Sequence, residues 1–188
     1  TFTGWYDGET FVGMDGASYR PDHSVTLTAG WEINKYDVTF DEALGDTVAD
    51  QTNVDFGTTV TVPTPTRTGY TFVAWTSEQV TVTAGTFTMP DNAVTLTATW
   101  TINQYDVSYT ENGGSTVADV TDADFGTTIT LPTPTLLGST FTGWFNGETK
   151  VGDAGAPYTI TAADVTSEEG QAMQDSYLKF NSIARFNF

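Results

Sequence analysis

The chain has 188 residues, no cysteine, and 24 acidic against six basic side chains, a formal net charge of −18. That balance repels phosphate backbones and anionic lipid heads, which sets aside nucleic-acid and membrane-surface binding, while the missing cysteine removes disulfides, zinc-thiolate sites and thiol nucleophiles together. No apolar run approaches the ~18 residues of a membrane span, so no membrane insertion is expected.

In chain order, the first predicted element is a strand reaching Trp5, closed by Asp7-Gly8, whose Asx-Gly pair supplies the positive φ of a tight hairpin turn. Val25 and Leu27 open an alternating run that ends at Trp31. Tyr36, Val38 and Phe40 then alternate with Asp37 and Thr39, a period of two that marks a strand with one buried face. Residues 56–62 and 70–76 read as two more strands. Pro63 and Pro65, which lack a ladder donor, end the former. Val94, Leu96, Ala98 and Trp100 alternate with Thr95, Thr97 and Thr99, and threonine suits a half-exposed pleated surface because its χ1 is stiff. No segment carries a long 3.6-residue stripe. Residues 161–174 have the pattern of a short helix, and 177–188 form a strand-like tail.

The chain also repeats itself. Trp5, Trp75 and Trp144 stand 70 and 69 positions apart, Ile33-Asn-Lys-Tyr-Asp-Val38 returns as Ile102-Asn-Gln-Tyr-Asp-Val107, and Asp55-Phe-Gly-Thr-Thr59 returns as Asp124-Phe-Gly-Thr-Thr128. Val62-Pro-Thr-Pro-Thr66 recurs as Leu131-Pro-Thr-Pro-Thr135 in the same register. The predicted organisation is 1–32 as the second half of one repeat, 33–101 as a complete repeat, and 102–188 as a third with a divergent end.

These residues resemble the internalin-type B-repeat, or Listeria-Bacteroides repeat. The likeness rests on Gly57-Thr-Thr-Val60, Pro63-Thr-Pro-Thr-Arg-Thr-Gly-Tyr-Thr-Phe72, Trp75, Met89-Pro90 and Val94-Thr-Leu-Thr-Ala-Thr-Trp100, which together span one whole repeat. Ala74 departs from the family's glycine before the tryptophan, and Asp41-Glu-Ala-Leu-Gly45 departs from the turn kept by Glu111-Asn-Gly-Gly114. The resemblance implies an all-β or β-rich chain of small β-grasp-like modules in an elongated tandem array. It further implies an extracellular or cell-surface place on a bacterium, a role as stalk, spacer, adhesin or fibre segment, and no active site or cofactor. A host or matrix surface is a candidate partner.

Thr1 corresponds to Thr71, so the first copy lacks the strands that 36–62 contribute in the second; a chain opening on threonine reads as a processed product or a fragment. About thirty residues bury too little apolar surface to offset their ordering entropy. Three completions stand open: an upstream half, the tail of a neighbouring chain added as a strand in a head-to-tail homopolymer, or the tail folding back on its own third repeat. The second would join Phe2, Trp5, Val25 and Leu27 to Tyr177, Leu178, Phe180, Ile183, Phe186 and Phe188.

Catalytic chemistry finds no purchase. His23 is the lone histidine and has no equivalent in the other copies, which leaves no triad or zinc set. Asp41-Glu42 and Glu168-Glu169 read as surface charge, since adjacent strand residues face opposite ways. Calcium would draw on Asp7, Glu9, Asp15, Asp122 and Asp124, yet no Asp-x-Asp-x-Asp-Gly loop is present, and no metal is expected. All five tryptophans read as core anchors because they recur in register, with a glycan-binding module as the alternative function.

Overall fold

The computed structural model describes residues 1–161 and, as backbone, the strand 177–182; the predicted helix at 161–174 falls almost wholly outside them. The described residues are all-β, with strands and turns and no helix. Two compact units form: one holds Thr1–Pro65 with Ala74–Thr99, the other Thr66–Val73 with Trp100–Phe188.

The first unit begins with β1 (Phe2–Asp7), β2 (Thr10–Gly13) and β3 (Leu27–Trp31), a three-stranded sheet in the order β2-β1-β3. Asp7-Gly8 makes the turn the sequence predicts, with Gly8 at φ 61°. The next strands are β4 (Lys35–Asp41), β5 (Gln51–Asp55), β6 (Thr59–Thr61), β7 (Tyr70–Thr76), β8 (Thr86–Thr88) and β9 (Val94–Ile102). They give a sheet ordered β5-β4-β9-β7 and a small ladder of β6 with β8. β4 and β9 run parallel at its centre, Val38 opposite Val94 and Phe40 opposite Leu96. A parallel pair needs a long crossover, and here the intervening strands supply it, folding Val60 and Phe87 over the sheet. Trp75 lies in that core with its ring 5.1 Å from Phe40, and its indole N–H donates to the Pro63 carbonyl at 2.7 Å.

The second unit repeats the plan with β10 (Gln104–Thr110), β11 (Val120–Asp124), β12 (Thr128–Thr130), β13 (Trp144–Asn146), β14 (Thr149–Gly152), β15 (Pro157–Thr159) and β16 (Tyr177–Ser182). Its larger sheet is ordered β11-β10-β16-β13-β14, and β12 pairs β15. Trp144 is fully buried, 4.8 Å from the Tyr109 ring, and donates to Pro132 at 2.8 Å.

Two expectations need correcting. Trp31 is 73% exposed and Trp5 38% exposed, so neither is a core anchor as Trp75 and Trp144 are. Alternation gives the face of a strand, not its depth. Trp31 is the last residue of β3, opposite Phe2 and edge-on to its ring, and Trp5 meets the same Phe2 ring edge-on, whereas Phe40 packs on Trp75. The predicted strand 56–62 is also two features: a turn at Phe56–Thr58 follows the unforeseen β5, and only Thr59–Thr61 is extended.

The Asp41–Gly45 loop shows what its departure from the family turn costs. Ala43 and Leu44 take φ 47° and 73°, where the third copy places Asn112 and Gly113 at 49° and 92°. Left-handed backbone costs a side chain with a Cβ roughly 1–2 kcal/mol, and Leu44 returns nothing by burial, being 87% exposed. Leu44→Gly is expected to raise stability by about 1 kcal/mol in urea unfolding; an unchanged or lower midpoint would show that Leu44 is not strained.

Candidate functional site

Carboxylates hold the loops of both complete repeats through backbone N–H groups. Asp50 Oδ1 accepts from Phe40 at 2.9 Å and Asp119 Oδ1 from Tyr109 at 3.0 Å. Glu42 Oε1 accepts from Val48 at 2.6 Å and Glu111 Oε1 from Val117 at 2.8 Å. Asp37 takes the N–H of Asn53, and Asp106 that of Asp122, at bulges where the donor residues on β5 and β11 turn to positive φ. Glu42 is therefore a loop clamp rather than surface charge. Asp119→Ala is expected to cost about 1–2 kcal/mol, because it orphans a part-buried N–H, while Asp119→Asn keeps an acceptor and costs less; equal losses in the two variants would contradict the bond.

Among the described residues the candidates for chemistry make no reactive set. His23 lies in the first copy with Nδ1 2.7 Å from Asp22 and Nε2 3.3 Å from Asp7, both partners near the surface. Asp7 also accepts the Tyr19 hydroxyl at 2.9 Å, and this bond to a carboxylate raises the Tyr19 pKa. Asp124 is taken by Gln104 at 2.9 Å. Among the described residues no group of three or more metal-ligating side chains gathers.

What remains as a site is an incomplete sheet. β3 and the two residues before it carry the sequence of β9: Val25, Leu27 and Ala29 stand where Val94, Leu96 and Ala98 stand 69 positions later. β9 lies between β4 and β7 and buries all three; β3 has β1 on one side only, and its three are half-buried. Phe2, half-buried, packs edge-on against Trp5 and Trp31 at 5.6 and 5.5 Å.

Phe56 tells the same story. Its counterpart Phe125 is half-buried in the second unit, with the Tyr70 ring 6.5 Å away and Gly69 so close that a Cβ there would strike the Phe125 ring. Phe56 is 53% exposed. The surrounding bonds are otherwise alike: Thr71 Oγ1 donates to Asn103 Oδ1 at 2.7 Å and Thr1 Oγ1 to Asn34 Oδ1 at 2.5 Å, while Asn103 and Asn34 accept from Phe125 and Phe56 at 2.8 and 2.9 Å.

The tail residues lie elsewhere. Tyr177, Leu178 and Phe180 belong to β16, which runs parallel to β10 with Val107 opposite Leu178 and Tyr109 opposite Phe180, and antiparallel to β13. That register matches Val38 with Val94 and Phe40 with Leu96, so β16 fills the last-strand place of its own repeat. Ile183, Phe186 and Phe188 lie outside the described residues. Phe2, Trp5, Val25 and Leu27 are in the first unit and the tail strand in the second.

The family model of the Listeria-Bacteroides repeat domain matches residues 36–99 and 105–166. Two proteins of Evansella cellulosilytica, provisionally named a membrane protein and a Gly-rich membrane protein, are 35% and 37% identical to the chain over 154 and 173 residues, each match covering 79% of it. The chain spans only 23% and 19% of their lengths. A solved pair of Streptococcal High Identity Repeats in Tandem, SHIRT domains 3-4 from a cell surface protein, is 15% identical, covering 80% of this chain and 99% of that one. Its TM-score of 0.28 carries no structural argument. With two copies matched across more than half of its residues, the chain belongs to the Listeria-Bacteroides repeat domain family.

Proposed function

We propose that the chain is a non-catalytic structural segment of a bacterial surface or secreted protein, in which repeats are stacked to set length. One observation carries this reading. What recurs from copy to copy is scaffolding: the tryptophan bonded to a proline carbonyl and the carboxylates bonded to backbone N–H groups. The one histidine does not recur. Selection on a repeat that carries no reactive group acts on span and solubility, and a net charge of −18 keeps neighbouring molecules apart. Brief protease treatment of intact producing cells is expected to remove the chain; full protection until lysis would sink the surface reading.

A head-to-tail polymer is the more specific form of this role, with residues 177–182 exchanged onto β10 of another copy. Light scattering on the whole chain beside one ending at Asp175 separates the two. Fibres from the whole chain alone support the polymer, and monomers from both leave the spacer. A glycan-binding module is favoured by one feature, the 73% exposed Trp31 indole. Quenching of fluorescence by a glycan, lost in Trp31→Ala, is its expected signature; a silent glycan panel counts against it.

A further inference from the structure

We propose that Asn112 is a site of spontaneous covalent modification, at which the Gly113 amide nitrogen displaces the Asn112 carboxamide nitrogen, and that the fold selects it over the other Asn-Gly pair, Asn146-Gly147. The proposal does not depend on what the stacked repeats are for.

The chemistry begins in the sequence. Asn112 and Asn146 are the asparagines followed by glycine, and a residue without a side chain leaves the attacking nitrogen uncovered. That nitrogen bonds to Cγ of the asparagine, its proton passes to the leaving amide, and ammonia departs as the Cγ–Nδ2 bond breaks. Water then opens the resulting cyclic imide at either carbonyl. Opening at one side gives aspartate; opening at the other gives isoaspartate, whose main chain runs through the side-chain carbons and is longer by a methylene. Both products add a negative charge.

The two pairs are held differently. Asn112 and Gly113 are exposed in a turn outside any strand, at φ 49° and 92°. That turn is closed by the Gly114 N–H donating to the Glu111 carbonyl at 3.0 Å. Among the described residues, neither the Asn112 carboxamide nor the Gly113 N–H has a hydrogen-bond partner. Asn146 is exposed too, but it is the last residue of β13 and is paired with Thr149 across the hairpin. Its backbone must leave that ladder before its carboxamide can reach the Gly147 nitrogen.

The second copy shows that the turn does not need the carboxamide. Ala43 and Leu44 stand in the places of Asn112 and Gly113 at φ 47° and 73°, and the Gly45 N–H closes the turn on Glu42 at 2.9 Å. The change is therefore confined to the third copy. There the loop is fastened to Thr135, whose carbonyl accepts the Ser115 N–H at 2.7 Å and whose N–H donates to the Ser115 hydroxyl at 2.9 Å. An added methylene between 112 and 113 pushes these partners out of register, so isoaspartate loosens the loop.

The experiment ages the whole chain in warm, mildly alkaline buffer, which favours the deprotonated attacking amide. Peptides are mapped by mass spectrometry, and an isoaspartyl methyltransferase marks isoaspartate. Asn112 is expected to convert about fivefold faster than Asn146, the factor for opening one further hydrogen bond of ordinary strength. Amide exchange at Ser115 and Thr135 should quicken in the aged chain. In urea the two sites should convert alike. Asn112→Ala, which places there the residue that the second copy carries, should abolish the signal at this site and leave the chain folded. Asn146 converting as fast as Asn112 in the folded chain, or Asn112 staying intact there while it converts in urea, overturns the proposal. A preference for Asn112 that persists unchanged in urea also overturns it, because flanking residues rather than the fold would then choose the site.

Discussion

Trp144→Ala is expected to remove most of the stability of the second unit. Truncating a buried tryptophan costs about 3–5 kcal/mol, against about 5–15 kcal/mol for a whole domain. Trp144 sits at zero exposure between Tyr109 and Phe141, with ring centroids at 4.8 and 5.3 Å. The change would also leave the Pro132 carbonyl without its donor. Trp144→Phe separates the two losses: it keeps a ring and forfeits the hydrogen bond, for about 1–3 kcal/mol. Trp5→Ala is the control at the same repeat position. At 38% exposure on a small three-stranded sheet, it is expected to cost about 1 kcal/mol or less. Urea unfolding followed by circular dichroism ranks the three. If Trp5→Ala proved as damaging as Trp144→Ala, the first copy would have a core that its half-buried Val25, Leu27 and Ala29 do not suggest.

The contrast between these two tryptophans marks the limit of what the sequence shows. The repeat, the strand alternation in β4 and β9, and the Asp7-Gly8 turn are legible because periodicity two and turn chemistry are local. Exposure of Trp31 and Trp5 is not, since it depends on a strand that sequence cannot place beside β3. β5 and β11 escape because Gln51–Asp55 and Val120–Asp124 are polar edge strands, each interrupted by a positive-φ residue. Their signal is a different one. Asp37, Glu42 and Asp50 recur as Asp106, Glu111 and Asp119, each 69 positions on. Solvated charge has no reason to hold such a register, whereas an acceptor aimed at a particular N–H does. Reading those carboxylates as a set, rather than as neighbouring pairs, would have found the loop clamps and the bulges with them.

The glycines of the Pro-Thr-Pro stretch offer a sharper test of which contacts matter. Gly69 and Gly138 occupy the same turn, closed by Tyr70 N–H to Arg67 C=O and Ser139 N–H to Leu136 C=O at 3.1 Å each, with φ of 77° and 74°. Both need the left-handed angle of a third turn residue, so alanine at either should cost about 1–2 kcal/mol in backbone strain. A Cβ on Gly138 meets open space, whereas one on Gly69 runs into the Phe125 ring. Gly69→Ala is therefore expected to cost about 1–3 kcal/mol more than Gly138→Ala, the usual range for overpacking. The excess should vanish in the Phe125→Ala background, where the clash has nothing to meet, so a double-mutant cycle should return a large coupling. Additive costs would mean that Phe125 does not press on Gly69 in solution. A large coupling would place residues 66–73 within the cooperative core of the second unit. It would also explain why Phe56, which has no such glycine turn against it, stands open.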